Sequence, residues 1–185
     1  MNGLVAVNEI FMDEIKLRSN IIRFWGNYLQ VVPSIILSNF ILPEVTSTFL
    51  TTIGIPFQVY MYKGILPMDF LDTVNAIETF SFKNTSYILI ATDNNDLGVK
   101  IGIEDKSGEV FDVASFLEEP VAFVNSNVLL FLEFVKIFIE NINTQDNSDI
   151  SLSKAIGSIK FRFDELDPRA LEKGAYWSEF LEGVM

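Results

Sequence analysis

The sequence contains neither cysteine nor histidine. Without cysteine there is no disulfide framework and no thiolate zinc site, and a reducing compartment, the cytoplasm, is the natural setting. Without His or Cys the usual nucleophile and base pairs have no members, and no serine stands in a Gly-x-Ser-x-Gly setting. Only Lys, Tyr or carboxylate chemistry is left open. Positive charge is also scarce: 13 Lys and Arg face 25 Asp and Glu in 185 residues, a formal charge of -12. Proteins that hold DNA or RNA neutralise phosphates with clustered Lys and Arg, so direct nucleic-acid binding is not expected. A basic protein partner fits the electrostatics better.

Long apolar runs are missing too. The most apolar stretch, Val128 to Ile139, is a dozen residues interrupted by Glu133 and Lys136, whereas a membrane-spanning helix needs about 20. It reads as a buried helix, with no role for a membrane. Residues 1–8 have no basic segment and meet Glu9, Asp13 and Glu14 before any long apolar run, so no secretory signal is expected.

What is abundant is core material: 49% of residues are apolar and 17 are Phe, enough for one core and a single domain over residues 1–185. Asn8 to Ser19 suits a short amphipathic helix capped by Asn8. The aromatic-rich segment after it, through Phe24, Trp25 and Tyr28, and Val31 to Leu42 fit no single period. Leu42, Val45, Phe49, Leu50 and Ile53 fall at helical spacing, with Pro43 suited to the first turn and Gly54 to the left-handed residue past the end. Gln58 to Lys83 stays open between helix and turns. Tyr87–Ala91, Val99–Ile103, Glu109–Val113 and Val121–Val124 read as four strands of an antiparallel meander, joined by Asp93–Gly98 and Asp105–Gly108. Asn125 and Ser126 offer caps to a helix with a broad apolar stripe that is expected to cover the sheet. Two further helical pieces, Ile150–Phe163 and Asp167–Val184, complete an α+β chain with no internal repeat.

Several candidate sites reduce to plain structure. Asp93, Asn95, Gly98 and Glu104 match positions 1, 3, 6 and 12 of an EF-hand loop, but Leu97 offers no oxygen at position 5 and the flanks read as strands. A tight turn accounts for the same residues. The pairs Asp13/Glu14, Glu104/Asp105 and Glu118/Glu119 are solvated neighbours rather than acid–base couples. Gly98, Gly102 and Gly108 do not run from a strand into a helix, so no phosphate loop is present. No cofactor, metal or catalytic residue is expected. Trp25 and Trp177 are expected in the core rather than as interface anchors.

One placement of charge does stand out. From Asp93 to Glu119 there are eight acids, Asp93, Asp96, Glu104, Asp105, Glu109, Asp112, Glu118 and Glu119, against Lys100 and Lys106. This local excess of six negative charges is half the chain's total, and these acids are the candidate residues for steering and binding a basic partner.

Several segments taken together carry a resemblance. They are the helix Leu42–Ile53 running into Gly54-Ile55-Pro56, and the strand Tyr87–Asp93 followed by Gly98 and Val99-Lys100-Ile101. Downstream come Phe123-Val124-Asn125-Ser126 leading into the Phe-rich helix, then Leu166-Asp167-Pro168 with Tyr176-Trp177 and Phe180-Leu181. Their order resembles the SUKH superfamily of bacterial immunity proteins, most of all its fourth branch, over roughly Trp25 to Trp177, with residues 1–23 as an N-terminal extension. The resemblance implies an α+β fold and a non-enzymatic role in bacterial competition: binding and neutralising a cognate toxin domain, often a nuclease or nucleic-acid deaminase. An intracellular interaction scaffold or regulator without a toxin partner is the alternative it leaves open.

Overall fold

A computed structural model describes residues 15–59, 66–93, 99–114, 121–142 and 149–184. Residues 15–25 form helix α1. The expected N-terminal helix runs on past Ser19 to take in Phe24 and Trp25, while its expected start, with the Asn8 cap, lies outside the described residues. α1 points inward with Ile21 and Trp25, 0% and 1% exposed, and Trp25 meets Phe24 and Phe70 edge-on at ring separations of 5.0 and 5.5 Å.

A 3-10 turn leads to the short strand β1 (Leu29–Gln30), then helices α2 (Ser34–Leu37) and α3 (Glu44–Thr52) and strand β2 (Ile55–Pro56), which pairs antiparallel with β1. α3 matches its expected span because each end has a local cause. Pro43 sets the entry at φ -53° and Glu44 places a carboxylate in the first turn. Past the end, Gly54 sits at φ +88°, a region open to glycine.

The second sheet has six strands: β3 (Met68–Phe70), β4 (Thr79–Phe82), β5 (Thr85–Asp93), β6 (Lys100–Glu104), β7 (Val110–Val113) and β8 (Val121–Asn125). Strands β5 to β8 run as the expected antiparallel meander, and β3 and β4 pair with the two halves of β5. The described residues of the stretch left open in the sequence thus add two strands to the sheet, with a 3-10 turn (Val74–Ala76) between them. β4 and β5 form a hairpin closing at Phe82 and Thr85, with both central residues, Lys83 and Asn84, at positive φ (47° and 68°), the conformation of a type I′ turn.

After β8, Asn127 rather than Asn125 or Ser126 caps helix α4 (Val128–Ile142), its Oδ1 accepting from the Leu130 backbone N–H at 2.9 Å. From Val128 to Ile139 every residue of α4 except Leu130 is buried, as expected of a helix apolar on all sides. Helix α5 (Asp149–Leu166) packs on it, with Phe163 stacked on Phe134 at 3.7 Å. The last stretch, expected as one helical piece, is a 3-10 turn (Pro168–Leu171) and helix α6 (Tyr176–Gly183). Gly174 at φ +84° makes the break between them.

One apolar cluster joins the inward strand residues Ile88, Ile90, Ile101, Ile103, Val110 and Val124 to Phe131, Phe134 and Phe138 of α4, to Phe163, and to Trp25 and Trp177. Among the described residues no helix is long and apolar enough to cross a membrane.

Candidate functional site

Strand alternation gives the six-stranded sheet two different faces. Ile88, Ile90, Ile101, Ile103, Val110 and Val124 turn to the helices. The residues between them, Tyr87 and Leu89 on β5, Gly102 and Glu104 on β6, Phe111 on β7 and Phe123 on β8, turn the other way. Cross-strand register lines them up: Leu89 pairs with Gly102, Gly102 with Phe111 and Phe111 with Phe123, while Tyr87 pairs with Phe80 on one side and Glu104 on the other.

The result is a ladder of rings across the outer face. Phe80 stacks on Tyr87 (centroids 5.1 Å, 16° between planes), Tyr87 meets Phe111 edge-on at 6.3 Å, and Phe111 meets Phe123 edge-on at 5.9 Å. Phe80, Phe111 and Phe123 are half-buried and Tyr87 is buried. Gly102 makes the close stacking possible, since a Cβ there would lie 2.9 Å from the Tyr87 Cβ and 3.0 Å from the Phe80 ring. Each end of the ladder carries a cation held by a carboxylate. Lys100 Nζ lies 5.0 Å from the Phe80 centroid and pairs with Glu78 at 2.8 Å; the Arg169 guanidinium lies 4.1 Å from the Phe123 centroid and pairs with Glu109 at 2.6 Å. The Glu109 hydrogen bond raises the Arg169 pKa further above its ordinary value. Burial, followed by the nearby Glu104 carboxylate, raises that of the Tyr87 phenol, against the opposing effect of a Thr85 hydrogen bond, so the ladder's central hydroxyl is held neutral.

The acids singled out in the sequence divide between this face and other places. Glu104 and Glu109 border the ladder. Glu104 also accepts from the Ser107 hydroxyl, which fixes the β6–β7 turn. Asp105 serves the turn itself: its Oδ1 accepts from the Ile41 backbone N–H at 2.6 Å, tying the turn to the segment before α3. Asp112 stands in register with Ile101, hence on the helix side of the sheet. Asp93 closes β5 opposite Met68. Asp96, Glu118 and Glu119 lie outside the described residues, as does the Asp93–Gly98 loop beyond its first residue. Among the described residues, the carboxylates Glu78, Glu104 and Glu109 border the ladder together with Lys100 and Arg169. The rings rather than the acids dominate this surface, and the sequence gives little sign of them, because Phe80 lies in the unassigned stretch and Arg169 is 60 residues from Glu109.

A second polar cluster is internal. The Asp167 carboxylate, 4% exposed, accepts from the Ser126 backbone N–H (2.7 Å), the Ser126 hydroxyl (2.9 Å) and the Asn125 amide (3.3 Å), and the Asn125 amide oxygen accepts from Trp177 Nε1 at 3.1 Å. Both oxygens are used, so this network ties β8 to the start of α6 rather than awaiting a ligand. Among the described residues no group of acids has the arrangement of a metal site.

Asn125-Ser126, Asp167 and Trp177 come from three of the segments that carried the resemblance, and here they meet. The profile of the SUKH-4 immunity proteins matches residues 23–183. The chain belongs to the SUKH-4 immunity protein family. Membership brings with it an immunity role and a cognate toxin as partner. The match begins inside α1 and takes in the whole sheet, the aromatic ladder and the Asp167 network. No curated protein and no solved structure matches the chain.

Proposed function

We propose that this protein neutralises a basic toxin domain, a nuclease or nucleic-acid deaminase, by occupying it in the cytoplasm, and that the outer face of the sheet is the surface that docks. The observation that supports this reading most is the ladder Phe80–Tyr87–Phe111–Phe123. Aromatic side chains and Arg are enriched where binding energy concentrates, and here three half-buried Phe rings and Arg169 lie together on one sheet face. Inhibition by occupation requires no reaction from the immunity protein.

Charge acts at a different stage. With a formal charge of -12 the protein attracts a basic toxin during encounter, an effect that speeds association and weakens with salt. Within the contact, the carboxylates Glu78, Glu104 and Glu109 set orientation. The remaining acids of the meander, Asp93, Asp96, Asp105, Asp112, Glu118 and Glu119, belong to the general field in this proposal.

The test is titration of the purified toxin domain encoded beside this gene with the immunity protein at low and high salt. Enzymatic activity is expected to fall in proportion to added protein and vanish at equimolar amounts, with association slowing as salt rises. Full toxin activity in the presence of excess protein at either salt would contradict the proposal.

A further inference from the structure

We propose that the free edge of β4 pairs antiparallel with β4 of a second copy of this chain, giving a reversible dimer in which the two aromatic ladders join into one. β4 pairs with β5, and among the described residues no strand lies on its other side. The other edges of this sheet are protected. β3 has only three residues with Asp69 in the middle, and the 3-10 turn Pro168–Leu171 packs against β8. β4, Thr-Phe-Ser-Phe, has no proline, charge or bulge to keep another strand away.

Register decides which backbone groups of β4 are free. The hairpin closes at Phe82 and Thr85, and the Leu89 N–H donates to the Glu78 carbonyl at 2.9 Å, so Glu78, Phe80 and Phe82 turn their backbone groups to β5. The Ser86 carbonyl, opposite Ser81, accepts instead from the Asp105 N–H at 2.8 Å on the far side. Thr79 and Ser81 therefore present N–H and C=O outward, and both residues are exposed. These groups are complementary to themselves. With Phe80 on a two-fold axis perpendicular to the sheet, Thr79 lies opposite the partner's Ser81 and Ser81 opposite the partner's Thr79, and every one of the outward groups is bonded. The Phe80 rings of the two copies then stand side by side on the outer face as a directly opposed pair.

Charge favours a second copy as the occupant. A chain of formal charge -12 repels its own kind over most of its surface. At β4, however, Glu78 precedes the strand and Lys83 follows it. Glu78 pairs with Lys100 at 2.8 Å, and Lys83 Nζ lies 5.3 Å from the Phe82 ring centroid. In the paired arrangement Phe82 stands opposite the partner's Glu78, so each Lys83 meets an acid from the other copy. An edge of four residues buries little area, and the dimer exchanges with monomer.

The experiment needs no toxin, so its outcome is separate from that of the docking proposal. Sedimentation of the whole chain alone from about 10 µM to about 1 mM, the range of weak contacts, is expected to show monomer giving way to dimer. Thr79→Lys/Ser81→Lys, which opposes like charges across the axis, should weaken the dimer by about tenfold or more. Thr79→Lys/Ser81→Glu, which opposes unlike charges, should restore or strengthen it. Phe111→Ala/Phe123→Ala should leave it unchanged. Register is read with cysteine, since the chain has none of its own. Phe80→Cys should oxidise to a linked dimer, because opposed residues of a non-hydrogen-bonded pair lie about 4.5 Å apart. Thr79→Cys should not, its diagonal distance to the same position in the partner being about 7–8 Å. A chain that stays monomeric at the top of the concentration range overturns the proposal, and if Thr79→Lys/Ser81→Lys then weakens toxin binding, the edge takes a toxin strand instead. A dimer indifferent to both charge variants, lost in Phe111→Ala/Phe123→Ala, or linked through Thr79→Cys and not Phe80→Cys overturns it equally.

Discussion

Replacing Asp167 by Ala is expected to lower stability by about 3–5 kcal/mol, because it strands several buried donors at once. The carboxylate receives Ser126 N–H, the Ser126 hydroxyl and the Asn125 amide. Removing it leaves the Asn125 amide with no acceptor in a fully buried setting, and Asn125 in turn orients the Trp177 indole. At this chain length the loss corresponds to a fall in melting temperature of roughly 6–20 °C. Exposed Asp164, one turn back on α5, is the control; its Ala variant is expected to stay within about 0.5 kcal/mol of the parent. Urea unfolding of the two variants checks this. Equal stabilities would show that the Asp167 network carries no weight.

Gly54→Ala is expected to cost about 2–5 kcal/mol, from two sources. The first is the left-handed backbone at φ +88°, which a Cβ disfavours by roughly 1–2 kcal/mol. The second is collision: the added Cβ would stand 2.0 Å from the Gln30 carbonyl oxygen and 2.7 Å from the Val31 nitrogen. Main chain on both sides must move, and overpacking of this kind costs roughly 1–3 kcal/mol. Gly174 separates the two, since it also has a positive φ (+84°) but nothing within 4 Å of its missing Cβ. Gly174→Ala should lose only about 1–2 kcal/mol, the conformational part alone. Thermal unfolding of the pair measures the difference, and a Gly54 variant no less stable than the Gly174 one would refute the close approach of β1 to the end of α3.

Asp167 and Gly54 both belong to segments that could be picked out from the sequence, and the reason is local. α3 carries its start signal in Pro43, its stop in Gly54 and its buried stripe in Phe49 and Leu50, all within about a dozen residues of chain, although Val45, expected on that stripe, is exposed. The strands β5 to β8 were legible for the same reason, as short runs of alternating or continuous β-branched residues bounded by turns. The β4–β5 hairpin was not. Its turn places Lys83 and Asn84 at positive φ where Asn-Gly would be the recognisable choice, and β4 itself, Thr-Phe-Ser-Phe, is too short to announce a period.

The candidate site was less legible than the fold. Charge can be counted along a chain, but its use depends on partners that sequence does not reveal. Asp105 is committed to the backbone of Ile41, Glu109 to Arg169, and Asp112 stands on the helix side of the sheet. The ladder required five strands in register, β4 to β8, with a glycine on the central one. Gly102, placed between Ile101 and Ile103 in an otherwise strong strand, was the one local hint that something approaches closely there. The residues that announced the family behave differently again: Asn125, Ser126, Asp167 and Trp177 form a structural network, so what identifies the fold is separate from the surface proposed to bind.

The most direct test of the proposed docking face is the affinity of the cognate toxin domain for three forms of the protein, measured by calorimetry at fixed salt. For the Phe111→Ala/Phe123→Ala double variant the account predicts a loss of about 100-fold or more, with the melting transition still cooperative. The control is Phe161→Ala, which removes a ring 65% exposed on α5, away from the sheet face, and is predicted to bind within about twofold of the parent. Parent-like affinity in the double variant, or a larger loss in the Phe161 variant, would contradict the account and move the toxin contact to the helical side of the molecule.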